Sequence, residues 1–200
     1  MQNQTDNIKK AVDIINSGGI IAIPTDTIYG LSASIHNLNA IKRIFDIKGR
    51  DSQKPLIIHI SDIKELYDIA YVDNRVENLA KNFWPGALTL ILKRKLFSPE
   101  MNLIRNNLPT ITVRIPNHNI PLEIIKKTGP IISTSANLSN HPSATTADEV
   151  KRQLQNKVDL IIDGGASPIG EASTILDLSE QTPELIRQGS IPFETLKNFC

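Results

Sequence analysis

Two stretches concentrate side chains that can do chemistry. From residue 42 to residue 54, Lys42, Arg43, Lys48, Arg50 and Lys54 stand against Asp46 and Asp51; five cations less two acids leave +3. Lys48 and Arg50 flank Gly49, which lets the backbone turn so that both cations can reach one anion. A polyphosphate suits such a pair. A solvated helix terminus suits it too, because basic residues there favour the macrodipole. The second stretch, Pro130 to Ser139, reads Pro-Ile-Ile-Ser-Thr-Ser-Ala-Asn-Leu-Ser. Ile131 and Ile132 predict a buried strand, and the polar run after them predicts a loop at its carboxyl end, where α/β sheets place ligands. Hydroxyls and one carboxamide bring donors and acceptors without charge, a set fit to hold a polar small molecule. The plainer alternative is a loop that bonds to its own backbone. Thr25, Asp26 and Thr27 after Ile23, and Arg114 before Pro116, mark two more strand ends with polar groups. All of these share one cleft only if their strands are neighbours.

Other chemistries find little support. Gly165 and Gly170 have the gap of a phosphate loop, but Glu171 stands where lysine is required. No Gly-x-Gly-x-x-Gly follows a strand and no Gly-x-Ser-x-Gly elbow is present. His36, His59, His118 and His141 have no metal-ligand spacing, and the single cysteine, Cys200, excludes a disulfide framework and a zinc site. His59 sits inside an apolar run, where a satisfied core histidine is the default. No stretch approaches a membrane span and no charged-then-apolar leader opens the chain, so no membrane is expected and a reducing cytoplasm is. The formal charge of +1 and an aromatic content of 4% argue against a global pull on nucleic acid and a base-stacking surface.

These side chains need elements to carry them. With 200 residues, 40% of them apolar, the chain suits one domain over 1–200. Ile8, Ala11, Val12 and Ile15 share a helical face, capped by Thr5 or Asp6 and stopped by Gly18 and Gly19. Strands are expected over 20–23, 31–35, 55–60, 88–92, 110–115, 131–132, 158–162, 174–178 and 184–188. Helices are expected from Asn37 or Asn39 to Gly49, from a Ser61 cap to Ala70, from Asp73 to Phe83, over 120–127, after a Thr146–Glu149 capping box, and after Pro192. Residues 96–109 show no period and are expected as a loop. Many short strands mixed with helices predict an α/β fold with a mixed sheet and flanking helices. The segment from Gly164 to Ser173, with Gly170 inside it, is expected as a mobile lid.

Taken together the motifs resemble the YrdC-like family of threonylcarbamoyl-AMP synthases, over Gly18 to Arg187 with core motifs across 18–189. The family's Pro-Thr-Asp-Thr-(Val/Ile)-Tyr-Gly-Leu is Pro24 to Leu31. Its Lys-x-Arg with Pro-Leu is Lys48, Arg50, Pro55 and Leu56. Its Trp-Pro-Gly-x-Leu-Thr is Trp84 to Thr89, its Arg-x-Pro is Arg114 to Pro116, and its Ser-Thr-Ser-Ala-Asn-x-Ser is Ser133 to Ser139. Ser173 to Asp177 and Arg187 to Gly189 complete the order. Ala87 stands where proline is common, Asn140 where glycine usually follows, and Lys54 where many relatives have asparagine. The chain looks like the short form, without the C-terminal domain of longer relatives.

The resemblance implies a twisted mixed sheet around a deep, positively lined cavity. It implies a nucleotidyltransferase that makes threonylcarbamoyl-AMP and pyrophosphate from L-threonine, bicarbonate or CO2, and ATP, with Mg2+ on the phosphates. The product feeds the threonylcarbamoyl modification of adenosine 37 in tRNA through a downstream transferase complex, so that tRNA is met indirectly or weakly. By resemblance Lys48, Arg50, Lys54, Thr110, Ser135, Asn137, Ser143 and Arg187 hold ATP, with Lys48 and Arg50 stabilising charge. Thr27, His59, Arg114, Ser133 and Ser173 hold threonine. No covalent nucleophile and no protein-held metal is expected. The rival readings are a non-catalytic RNA-binding module and a carbamoyl-adenylate-handling domain.

Overall fold

A computed structural model describes residues 2–51 and 54–200. The strands are β1 (Ile21–Ile23), β2 (Gly30–Ser34), β3 (Ile57–His59), β4 (Leu88–Lys93), β5 (Thr110–Arg114), β6 (Ile131–Ser135), β7 (Leu160–Ile161), β8 (Thr174–Asp177) and β9 (Glu184–Arg187). They form one nine-stranded sheet in the order β7-β1-β2-β6-β3-β5-β4-β8-β9. The helices are α1 (Gln2–Asn16), α2 (Leu38–Lys48), α3 (Ile63–Ile69), α4 (Asn74–Phe83), α5 (Pro99–Arg105), α6 (Asn119–Thr128), α7 (Ala147–Leu154) and α8 (Phe193–Lys197). The β1–β7, β3–β5 and β4–β8 pairs are parallel and the others antiparallel, so the sheet is mixed as expected.

Side chains alternate across a strand, so the pairing register assigns the faces. Ile132, Ile58, Val113, Leu90 and Leu176 lie in one row across β6, β3, β5, β4 and β8, all fully buried. Ile41 and Ile44 of α2, Leu66 of α3, Leu79 of α4, Ile104 of α5 and Val150 of α7 join them in the main core. A second, smaller core packs α1 and α6 on β1 and β6 through Ile8, Ala11, Ile15, Ile120, Ile124, Ile21, Ile23 and Ile131. Among the described residues no helix is long and apolar enough to cross a membrane.

Four local expectations are corrected. Ser133, Thr134 and Ser135 are not a loop; they continue β6, paired to β2 on one side, with Ser133 also opposite Ile57 of β3. Residues 99–105 are helical, because Ser98 caps the first turn by accepting from Met101 N and Pro99 fits its start. α3 is capped by Asp62, which accepts from Lys64 N and forms a capping box with Glu65. α1 begins at Gln2, so Thr5 and Asp6 lie within it and do not cap it. Asp73 and Thr146 cap α4 and α7 as read from the sequence, and of the two candidates for α2 it is Asn37 that caps.

Candidate active site

Beyond the patch covered by α1 and α6, the corresponding sheet face turns polar and forms the floor of a cavity of about 330 Å³. The register dictates its lining. Ser133 of β6 sits opposite Ser32 of β2 and Ile57 of β3; His59 opposite Arg114 of β5; Ile91 of β4 opposite Thr112; Ile175 of β8 opposite Arg187 of β9. The polar groups therefore meet across a sheet face, not at the carboxyl ends of parallel strands. Gly30 makes this possible at one corner, because a Cβ there would stand 2.5 Å from Ser133 Oγ.

Ten of the thirteen residues singled out in the sequence line this cavity: Thr27, Arg50, Lys54, His59, Arg114, Ser133, Ser135, Ser143, Ser173 and Arg187. The other three stand off its wall. Lys48 ends α2, and its Nζ is buried beneath the turn after β6, donating to the carbonyl oxygens of Ser135 and Asn137, to Asn137 Oδ1 at 3.3 Å and to Ser135 Oγ at 3.5 Å. Asn137 is buried and spends its amide on Leu138 O and His141 O at 2.9 and 2.7 Å, shaping that turn. Thr110 lies at the start of β5, its hydroxyl accepting from Arg105 Nη2 at 2.7 Å. Lys48 and Arg50 thus diverge at Gly49, which caps α2 in the left-handed region at φ 55°. Arg50 enters the cavity with Nη2 donating to Pro55 O at 3.0 Å; Lys48 supports the floor.

Among the described residues four cations line the cavity (Arg50, Lys54, Arg114 and Arg187) and no carboxylate does. Such a concave, one-signed lining attracts anions. Burial lowers the pKa of Arg50, and the facing Arg187 lowers it further. Burial and then the charge of Arg50 bring Lys48 down to about 7. His59 is buried, and burial with the neighbouring Arg114 holds it at about 3, so its ring is neutral at physiological pH. Its Nδ1 has no partner among the described residues. Arg187 is fixed by Ser173 O, with Nε and Nη2 at 3.0 and 2.8 Å, and Ser173 Oγ meets Thr89 Oγ1 at 2.7 Å.

Three features escaped the sequence reading. Thr112 lines the floor; it lies two residues before Arg114 and so on the same face, a parity signal open to view. Asp26 pairs with Arg114, which no local spacing announces. Tyr29 is fully buried and donates its hydroxyl to Gly165 O at 2.8 Å. With Ser167 N on Thr145 O at 2.8 Å and Ile169 N on Asp26 O at 3.0 Å, the segment expected as a lid is tied down over 165–169. Among the described residues no group of three or more His, Cys, Asp or Glu is arranged to hold a metal ion.

The motifs that build this cavity fall in a stretch, residues 13–189, that matches the Sua5/YciO/YrdC family described as telomere recombination. The chain belongs to that family. It is 43% identical over 192 residues to a threonylcarbamoyl-AMP synthase of Pyrococcus abyssi, a match covering 95% of this chain and 56% of that protein. It is 40% identical to the Bacillus subtilis threonylcarbamoyl-AMP synthase over 95% of this chain and 55% of that one. The chain therefore spans about half the length of these two curated relatives. The structure of P. abyssi Sua5 complexed with L-threonine matches with a TM-score of 0.92 and 42% identity, over 96% of this chain and 56% of that chain. The fold expected from the resemblance, a twisted mixed α/β sheet with flanking helices, is the fold observed.

Proposed function

We propose that this protein is an L-threonylcarbamoyladenylate synthase, a nucleotidyltransferase that joins L-threonine, bicarbonate or CO2, and ATP. The observation that carries this reading is the cavity itself: four cations and a row of hydroxyls with no carboxylate among them, in a family whose similar members bear that name. In the reaction, threonine's amine attacks CO2 and loses a proton, or attacks bicarbonate with loss of water, to give a carbamate. A carbamate oxygen attacks the α-phosphorus of ATP, the bond to the β-phosphate oxygen breaks, and pyrophosphate leaves. No protein nucleophile is needed; the chain contributes positioning and charge stabilisation.

On this reading the lining divides between the two substrates. Arg50, Lys54 and Arg187 face the cavity from β9 and from the segment after α2, and hold the phosphates. Lys48 acts from below, pinning the Ser135 and Asn137 carbonyls beneath the floor. Ser135 and Ser143 complete the nucleotide side, Asn137 shapes its turn, and Thr110 stands at its far end. Thr27, His59, Arg114, Ser133 and Ser173 form the threonine side. Arg114 gives Nε to Gly86 O, Nη1 to Thr27 Oγ1 and Nη2 to Asp26 Oδ1, so it meets a substrate carboxylate with the N–H groups left over and not with a free fork. Neutral His59 offers a ring nitrogen to the amine or the side-chain hydroxyl. A site that bonds that hydroxyl discriminates against valine, which would leave the site's groups unpaired.

The lining does not fit a protein-held Mg2+, which takes carboxylate oxygens. The ion belongs to the substrate, as the magnesium complex of ATP. The activity is assigned to one domain over 1–200, with its core motifs across 18–189, in a cytoplasmic enzyme that meets no membrane and passes its adenylate to a transferase acting on tRNA. Omitting each substrate in turn tests the reading.

A further inference from the structure

A second buried arginine stands behind the cavity floor. Arg105, the last residue of α5, is 2% exposed and spends its guanidinium on two threonines of β5. Nη1 donates to Thr112 Oγ1 at 2.6 Å, Nη2 to Thr110 Oγ1 at 2.7 Å and Nε to Thr110 O at 2.8 Å. Among the described residues no carboxylate forms an ion pair with it; Asp177 favours its charge only through space, and Arg94 opposes it. Burial lowers it to about 10, so it is a cation at neutral pH. A buried cation without a contacting carboxylate is unfavourable in a folded protein. The arrangement fixes a direction as well. A hydroxyl whose oxygen accepts from a guanidinium keeps its own hydrogen free to donate. Thr112 lines the cavity alongside Arg50, Lys54 and Arg187, and Thr110 lies on the same face of β5 two residues away.

We propose that Arg105 is a positioning residue of the phosphate wall, holding the Thr112 hydroxyl as a hydrogen-bond donor toward a polyphosphate in the cavity. The phosphates then supply, through that hydroxyl, the counter-charge that no carboxylate gives Arg105. The proposal rests on the synthase reading for the identity of the polyphosphate, ATP. The polarity of the wall follows from the hydrogen bonds alone.

The test is calorimetric binding of inorganic tripolyphosphate and, separately, of L-threonine to the full chain and its variants. Thr112→Val keeps the side chain's shape and removes the donor. It is expected to weaken tripolyphosphate binding about tenfold or more, the loss of a hydrogen bond to a charged group, and to leave L-threonine binding unchanged. Thr112→Ser restores the donor and the affinity. Arg105→Lys weakens tripolyphosphate binding similarly, and the double variant Arg105→Lys/Thr112→Val is no worse than the poorer single one, since both act through one hydroxyl. Should Arg105→Lys fail to fold, the Thr112 pair decides. The proposal is overturned if wild-type protein binds no tripolyphosphate, if Thr112→Val binds it like wild type, if Thr112→Ser does not restore it, or if the two losses multiply. Failure of the synthase reading is separately visible: no threonine-dependent adenylate forms even though the tripolyphosphate series behaves as expected.

Discussion

The Arg114 guanidinium donates to Asp26 Oδ1 at 2.5 Å, with 4% and 6% of the two side chains exposed. Asp26 Oδ1 also accepts from Asn117 N at 3.0 Å, and the Asp26 carbonyl accepts from Ile169 N at 3.0 Å. One acidic residue thus orients the proposed threonine-binding cation and anchors the 165–169 segment.

Removing one partner of a buried pair leaves the other charge uncompensated. Asp26→Ala is expected to cost about 3–5 kcal/mol of stability, read from urea unfolding. It also raises the L-threonine requirement of the surviving enzyme more than its ATP requirement. A loss well under 1 kcal/mol means that the pair contributes no more than a surface bridge.

Arg50 stands on the cavity wall, not in a core. Arg50→Ala is therefore expected to abolish ATP-dependent turnover while the melting temperature moves by only about 1–3 °C. Unchanged turnover, or a collapse of the melting temperature, removes Arg50 from the phosphate site.

Much of this was legible beforehand, and the part that was not has a common cause. Asn37, Asp73 and Thr146 cap their helices where the sequence places them, because a cap is a local bond between residues a few positions apart. Ser133 and Ser135 were misread as a loop because polarity was taken for exposure; here polar side chains alternate into a cavity between paired strands. Thr112 was legible in principle, by counting two back from Arg114. The Asp26–Arg114 pair joins residues separated by 88 positions, and the Tyr29–Gly165 bond residues separated by 136. Contacts of that span depend on strand order, which no single stretch of sequence carries.

His59 provides the pH test. Its folded pKa of about 3 lies below the ordinary 6.5. Between these values the unfolded chain binds a proton that the folded one refuses, so the folded state loses stability as the pH falls. The neutral ring imposes no such loss above 6.5. From pH 6.5 to pH 5 the loss is about 2 kcal/mol. His59→Gln is expected to lose that much less over the same interval in urea titrations at each pH. Parallel losses in the two proteins contradict a neutral, buried His59.

Tyr29 ties the 164–169 segment through its hydroxyl, which donates to Gly165 O and accepts from Gly164 N at 3.3 Å. Tyr29→Phe removes both bonds without changing the ring. Hydrogen exchange is expected to quicken in that segment, and stability to fall by about 1–3 kcal/mol. Exchange that remains as slow as in wild type shows that the Ser167 and Ile169 bonds suffice.

The central claim is tested most directly by mixing the purified protein with ATP, magnesium, L-threonine and bicarbonate, omitting each in turn, and following pyrophosphate and adenylates by mass spectrometry. The account predicts an adenylate that carries threonine and one added carbon, formed with pyrophosphate and lost when threonine, bicarbonate or ATP is left out. Pyrophosphate release without threonine contradicts it, as does the absence of that adenylate from the complete mixture. Salt-sensitive RNA binding without turnover points instead to an RNA-binding module, and turnover of carbamoyl phosphate to a carbamoyl-adenylate enzyme.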